Sequence, residues 1–134
     1  MRVKATIKGE REVIAKFKRM SKAARGEALA GAARTGIQPI QNEAIVLVAK
    51  DTSTLARSLH TEIAEQRATY AEAISGTDVE YARRIEFGFS GVDSLGRHYN
   101  QPAQPYYRPA YDTKRGEAIR DTSNALRDII LGSV

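Results

Sequence analysis

LHTEIAEQRATYAEAISG, Leu59 to Gly76, is the stretch on which the fold turns. Leu59, Thr61 and Ile63 alternate with His60, Glu62 and Ala64, the two-residue period of a strand whose faces differ. The alternation predicts a strand through about Arg67, and a further strand over Tyr70 to Ser75 that ends at Gly76. The connection QRAT is short, so the two strands must pair as an antiparallel hairpin. Just upstream, DTSTLARSL, Asp51 to Leu59, offers small polar residues for a cap or turn before the chain becomes extended.

Around this hairpin the pattern is mostly helical. Arg2 to Lys8 alternates Val3, Ala5 and Ile7 with charged or polar residues and predicts a first strand, which Gly9 ends. Val13, Ile14, Phe17 and Met20 form one apolar stripe of a short helix. Ser21 is a candidate N-cap for the next helix, where Ala24, Ala28, Gly31 and Thr35 make a face of small residues. Gly36 and Pro39 predict a kink or restart, because proline removes a backbone donor and clashes with the preceding turn. Ile40, Ala44, Leu47 and Val48 carry the helical stripe onward; AIVLVA, Ala44 to Ala49, read alone, also fits a buried strand, and continuity favours helix.

Downstream, YARRIEFG, Tyr81 to Gly88, reads as one helical turn leading into a strand. Gly88 to Gln104 holds three glycines without periodicity and predicts a long loop. A final helix is expected from about Pro109 to Leu131, with Ala118, Ile119, Leu126, Ile129 and Ile130 on one side. Pro109 suits a first helical position, and Pro102, Pro105 and Pro109 together stiffen the approach to that helix. Of the tyrosines gathered there, Tyr106 is expected to anchor the core. The expectation is a single α+β domain over 1–134: a small, mainly antiparallel sheet packed against a kinked central helix and a C-terminal helix, with a long loop before the last helix.

The chain of 134 residues carries no cysteine, so its stability rests on packing without disulfides. Its formal charge of +5 is uneven. Arg2, Lys4, Lys8, Arg11, Lys16, Lys18, Arg19, Lys22 and Arg25 face only Glu10 and Glu12 in the first 25 residues. Such a stripe is either a solvated face or a contact for phosphates or acidic protein surfaces. The absence of a long apolar run or a signal-like start predicts a soluble protein kept inside the cell that makes it, without membrane contact.

Signs of chemistry are few. His60 and His98 are the only histidines and have no ligand-spaced partners, so no metal and no cofactor is expected. GFSG and SLGR lack the strand and the lysine of phosphate cradles, and no serine sits in a nucleophile elbow. Glu86, between Ile85 and Phe87, is the conspicuous carboxylate. It reads either as an acid or base with a raised pKa or as a helix-end carboxylate satisfied by an arginine or backbone N–H groups, and the second reading is favoured because no partner group stands near it in sequence.

Three stretches in order, DTSTLARSL, YARRIEFG and QPYYRPA before a terminal helix, resemble the gene-product-ten-like head-tail joining proteins of long-tailed bacteriophages, called neck, tail-component or tail-completion proteins. That family reads Asp-Thr-Gly-x-Leu-x-x-Ser-apolar, then Tyr-Ala-x-x-apolar-Glu-aromatic-Gly, then Pro-aromatic-apolar-Arg-Pro-Ala. Asp51, Thr52, Leu55 and Ser58 match the first, with Ser53 at the glycine place; Tyr81, Ala82, Ile85, Glu86, Phe87 and Gly88 match the second. Pro105, Tyr106, Arg108, Pro109 and Ala110 match the third, with Tyr107 at the apolar place.

The resemblance implies a structural, non-enzymatic subunit of the virion neck or tail, assembled in the host cytoplasm by a phage, a prophage or a tail-like particle. It implies a ring of copies of itself, hexameric by the resemblance, with head-connector proteins on one side and tail-tube or tail-terminator proteins on the other. On that reading Phe89, Val92, Leu95 and Tyr99, beside Phe87, become an interface loop that orders on docking, unless the loop folds over its own sheet. Lys4, Lys8, Arg11, Lys16, Lys18, Arg19 and Lys22 become a surface for an acidic neighbour or for DNA in the lumen. Two other classes stay open: a small basic nucleic-acid-binding protein, and a small hydrolase or toxin built on Glu86, His60 and His98.

Overall fold

The computed structural model describes residues 2, 4, 8–48 and 53–133. The strand expected at Arg2 to Lys8 falls on residues that lie mostly outside this range, as do Asp51 and Thr52. The architecture is α+β. Helices α1 (Glu10–Ala23), α2 (Gly26–Leu47) and α3 (Ser53–Ser58) precede strands β1 (His60–Arg67) and β2 (Tyr70–Gly76). Helix α4 (Ala82–Phe87), strands β3 (Phe89–Val92) and β4 (His98–Gln101) and helix α5 (Tyr107–Gly132) follow.

The expected hairpin is present. β1 and β2 pair antiparallel from His60 opposite Gly76 to Arg67 opposite Tyr70, with a bulge between Ile63 and Glu65. One face lies on α2, where the Gln41 carboxamide oxygen accepts from the Thr61 hydroxyl and, at 3.0 Å, from Ser75. Because Ser75 donates to Gln41, the Tyr107 hydroxyl 2.7 Å away must donate to Ser75. A chain of hydroxyls therefore ties α5 through β2 to α2, each proton having one destination.

One helix boundary differs from expectation. Ser21 is no N-cap, since α1 runs on to Ala23 and the break falls at Ala24 and Arg25. The turn is made by Gly26, whose φ of 56° is left-handed, and its N–H donates to the Ala68 carbonyl in the β1–β2 turn at 3.2 Å. A local serine is outweighed by a glycine that both turns the chain and finds a tertiary acceptor. At Pro39 the helix does not restart: α2 is continuous from Gly26 to Leu47 with the proline inside it, and Ala44 to Leu47 belong to it as continuity favoured. Burial of Gly36, Ile40 and Ala44 against the rest of the fold offsets a local proline cost of about 3 kcal/mol.

Gly36 has a second role. It lies where α2 crosses α5, and a methyl group added there would overlap the Thr122 hydroxyl, with Thr122 Cβ at 3.1 Å and the Ala118 carbonyl oxygen at 3.3 Å. Alanine gains about 1 kcal/mol of helix propensity but overpacks the crossing, so Gly36→Ala is expected to lose about 1–2 kcal/mol net. Urea denaturation measures this, and adding Thr122→Ala should recover most of the loss. A Gly36→Ala chain as stable as the parent would contradict so close a crossing.

The core draws on α2 through Ile40, Ala44 and Val48, on α3 and its exit through Leu55 and Leu59, on α4 through Ala82 and Ile85, and on α5 through Tyr106 and Ala110. The segment expected as a long loop contains a second hairpin instead, with Phe89 opposite Gln101 and Val92 opposite His98. It forms its own two-stranded sheet and packs mainly against itself, not over β1 and β2.

Candidate functional site

The described residues of the three family-like stretches meet at the start of α5. Leu55 of the first is fully buried, and Ser58 at the end of α3 donates to the Leu55 carbonyl at 2.6 Å. With that proton used, the Thr77 hydroxyl 2.5 Å away must donate to Ser58, while its oxygen accepts from the Val79 N–H at 3.1 Å. Ser58 thus fastens α3 to the chain leaving β2.

The second and third stretches are joined by Glu86. Its Oε2 accepts from the backbone N–H of Tyr106 at 2.8 Å and of Tyr107 at 3.0 Å, and its Oε1 accepts from the N–H of Arg108 at 3.0 Å. The next residue, Pro109, has no N–H. The first turn of α5 therefore has its free donors satisfied by one carboxylate twenty residues upstream, placed where the helix dipole favours negative charge. No side chain of the helix's own N-cap contributes. Pro109 is accordingly the third residue of α5, and not the first, because the cap lets the helix begin at Tyr107. Glu86 is thus placed as the helix-end carboxylate, bonded to backbone N–H groups and, among the described residues, to no arginine side chain.

Around this bond the remaining motif residues are packing elements. Tyr106 is only 2% exposed, as expected of an anchor, and its hydroxyl donates to the Ala82 carbonyl at 3.3 Å. Ala110 is fully buried beneath it. The Ile85 carbonyl accepts from the Gln104 N–H at 2.7 Å, which closes the segment between α4 and α5 into a loop with a hairpin inside it. Gly88 (φ 77°, ψ 171°) makes the turn out of α4. Pro105 and Arg108 are exposed.

Burial pushes the Tyr106 phenol up to about 12, and the Glu86 charge and Tyr107 add to this; burial also raises Tyr107. A phenol whose folded pKa exceeds its unfolded value of about 10 stabilises the fold fully below pH ~10 and loses that contribution as pH climbs toward 12. Stability should therefore fall more steeply above pH ~10 in the parent than in Tyr106→Phe. Urea midpoints taken across that range would show it, and parallel curves would refute it.

Other sequence candidates are spread over the surface. Phe87 is 72% exposed and Leu95 75%, with Val92 and Tyr99 also open, whereas Phe89 is half-buried under the Arg84 guanidinium 4.4 Å above its ring. At the hairpin tip Asp93 accepts from the N–H groups of Leu95 at 2.9 Å and Arg97 at 2.8 Å, and from Arg97 Nε at 2.6 Å. These bonds, the Arg97 backbone first, hold its carboxyl below the usual range and give the hairpin a rigid end. The loop thus has fixed structure while its apolar side chains stay uncovered. Between β2, α4 and α5 runs an open apolar groove of about 530 Å³, lined by Ala82, Phe87, Tyr107 and Tyr111 among others.

Lys4, Lys8, Arg11, Lys16, Lys18, Arg19 and Lys22 are all exposed, and among the described residues none lies within 4.0 Å of a carboxylate. Beside them Val13, Ile14 and Phe17 are uncovered, Phe17 by 63%. His60 directs Nδ1 at the Ser58 carbonyl at 3.0 Å, and His98 is exposed on β4, far in role from Glu86, whose oxygens are occupied. The Gly36 crossing and the Asp93 turn are the features that sequence reading missed. The run Asp-Ser-Leu-Gly before Arg97 is a turn signal that marks the second.

No family model, curated protein or solved structure matches this chain.

Proposed function

We propose that the chain is a structural subunit of a phage-type head-tail joint, forming a ring, hexameric by its resemblance, between the capsid connector and the tail tube. The observation that carries the assembly reading is the set of open apolar side chains on α1, α2, α4 and the β3–β4 hairpin, with Phe17, Val46, Phe87 and Leu95 each more than 60% exposed. Surfaces of this kind are what neighbouring subunits cover in a closed assembly. The family-like residues support the same reading as fold determinants: they hold α5 and the hairpin in place, and the conspicuous carboxylate is spent on capping. A virion location and neighbouring connector and tail proteins belong to the proposal.

Native mass measurement of the purified chain, alone and with virion particles, tests it. Ring-sized oligomers, or incorporation into particles, are expected. A chain that stays monomeric under every condition and is absent from purified particles would overturn the reading. The uncovered cations of α1 favour one second reading, a duplex-DNA contact, which filter binding at low and moderate salt decides.

A further inference from the structure

Helix α1 carries five cations, Arg11, Lys16, Lys18, Arg19 and Lys22, against Glu10 and Glu12, a net +3. Helical spacing sets Lys16 and Lys18 on either side of the Val13, Ile14 and Phe17 stripe. The β1–β2 hairpin is the reverse: Glu62, Glu65 and Glu72 against Arg67 give −2 with neutral histidine. Pairing sorts these onto one face. Glu62 is opposite Ile74 and Glu65 is opposite Glu72, with Tyr70 two residues further along, while Thr61 and Ser75 point the other way to Gln41 of α2. The outer face therefore joins Ile74 and Tyr70, each 40% exposed, to three carboxylates, and Arg67 is already engaged by Glu65 at 2.9 Å.

A two-stranded sheet with one face covered by α2 leaves its other face to be closed by something with an apolar stripe and positive flanks. α1 has both, and its 14 residues span about 21 Å, close to the ~26 Å of the eight-residue β1. Both faces are exposed in the isolated chain, so neither covers the other within one molecule. We infer that α1 of one copy docks on the outer face of the β1–β2 hairpin of the next. This rests on the reading of the chain as a repeating subunit. The two surfaces differ, so the contact is head-to-tail and propagates around a ring rather than stopping at a pair.

Charge reversal tests it on the full chain. Lys16→Glu with Lys18→Glu places like charges on the two faces and should weaken self-association about tenfold, as should Glu62→Lys with Glu72→Lys. Mixing the two variants, or combining all four changes in one chain, should restore association, and circular dichroism checks that each variant folds. Since the chain has no cysteine, Lys18→Cys with Glu72→Cys adds an unambiguous pair, expected to give a ladder of intermolecular disulfides on oxidation.

Several outcomes overturn the inference: a chain monomeric to millimolar concentration, an intramolecular disulfide showing α1 folded onto its own hairpin, or reversal that abolishes duplex-DNA binding while leaving association intact. Oligomers indifferent to every reversal would also sink this contact while leaving the assembly reading standing. Absence of both oligomers and particle incorporation would remove that reading as well.

Discussion

Glu86→Ala is expected to cost about 3 kcal/mol, because it removes several things at once. An ordinary N-cap replacement loses about 1 kcal/mol for one neutral hydrogen bond. Here a carboxylate accepts from Tyr106, Tyr107 and Arg108, and charge-assisted bonds are roughly twice as strong as neutral ones. Truncation also leaves the Tyr106 N–H without its acceptor beside one of the most buried side chains in the protein. Glu86→Gln should fall between, at about half the loss, since its remaining carbonyl oxygen can keep the two bonds made by Oε2 while its amide faces the Arg108 donor. Urea midpoints at constant slope give both numbers, and protection of the first α5 amides in hydrogen exchange should drop in the same order. If Glu86→Ala is as stable as the parent, the cap is not what starts α5. A hydrolase built on Glu86 makes a different demand, loss of an activity without loss of stability, so the same pair of variants separates the two readings.

The β1–β2 hairpin was legible in sequence almost residue for residue, because strand period and a short connection are local properties. So was the brief helix of YARRIEFG, with a strand starting directly after it. The onset of α5 was legible only in part. Proline suits the first turn of a helix, where the N–H groups have no acceptor within the helix, and here only a distant carboxylate decides how many residues precede it. The same limit applies to Gly36: as a helix interruption it is a local reading, and its close approach to Thr122 exists only once α5 is docked. The partner strand β4 and the hairpin it closes escaped notice because His98 to Gln101 is four residues, too short for a period to show. Of the two surfaces proposed to meet between copies, the sequence disclosed the basic stripe and the apolar residues flanking it. Glu62 and Glu72 share the outer face of the hairpin by alternation and pairing, and the bulge at Ala64 adds the third carboxylate by bringing Glu65 around to the side of Glu62.

Gly88→Ala is expected to be the most damaging single methyl in the chain, at about 3–5 kcal/mol, a large share of the stability of an ordinary domain. With φ 77° and ψ 171° the residue occupies a region that is nearly exclusive to glycine. The space beside it is also closed: an added Cβ would stand 2.9 Å from the Ala103 nitrogen and 2.9 Å from the Gln101 carbonyl oxygen, backbone atoms that no rotamer change can move. Relief requires the exit of β4 to shift, and that strains the Gln104 to Ile85 bond and, through Pro105 and Tyr106, the capped start of α5. Gly96 provides the control. Its φ of 78° is as left-handed, but nothing lies within 4 Å of an added Cβ, so Gly96→Ala should show the conformational strain alone, about 1–2 kcal/mol. The excess of Gly88→Ala over Gly96→Ala then combines the contact between the α4 turn and the β4 exit with the added strain of ψ 171° at Gly88. Denaturation midpoints supply the two values, and amide exchange at Gln104 locates the damage. Equal losses at the two glycines would mean that the contact is not tight, and the junction of the family-like stretches would then rest on Glu86 and Tyr106 alone.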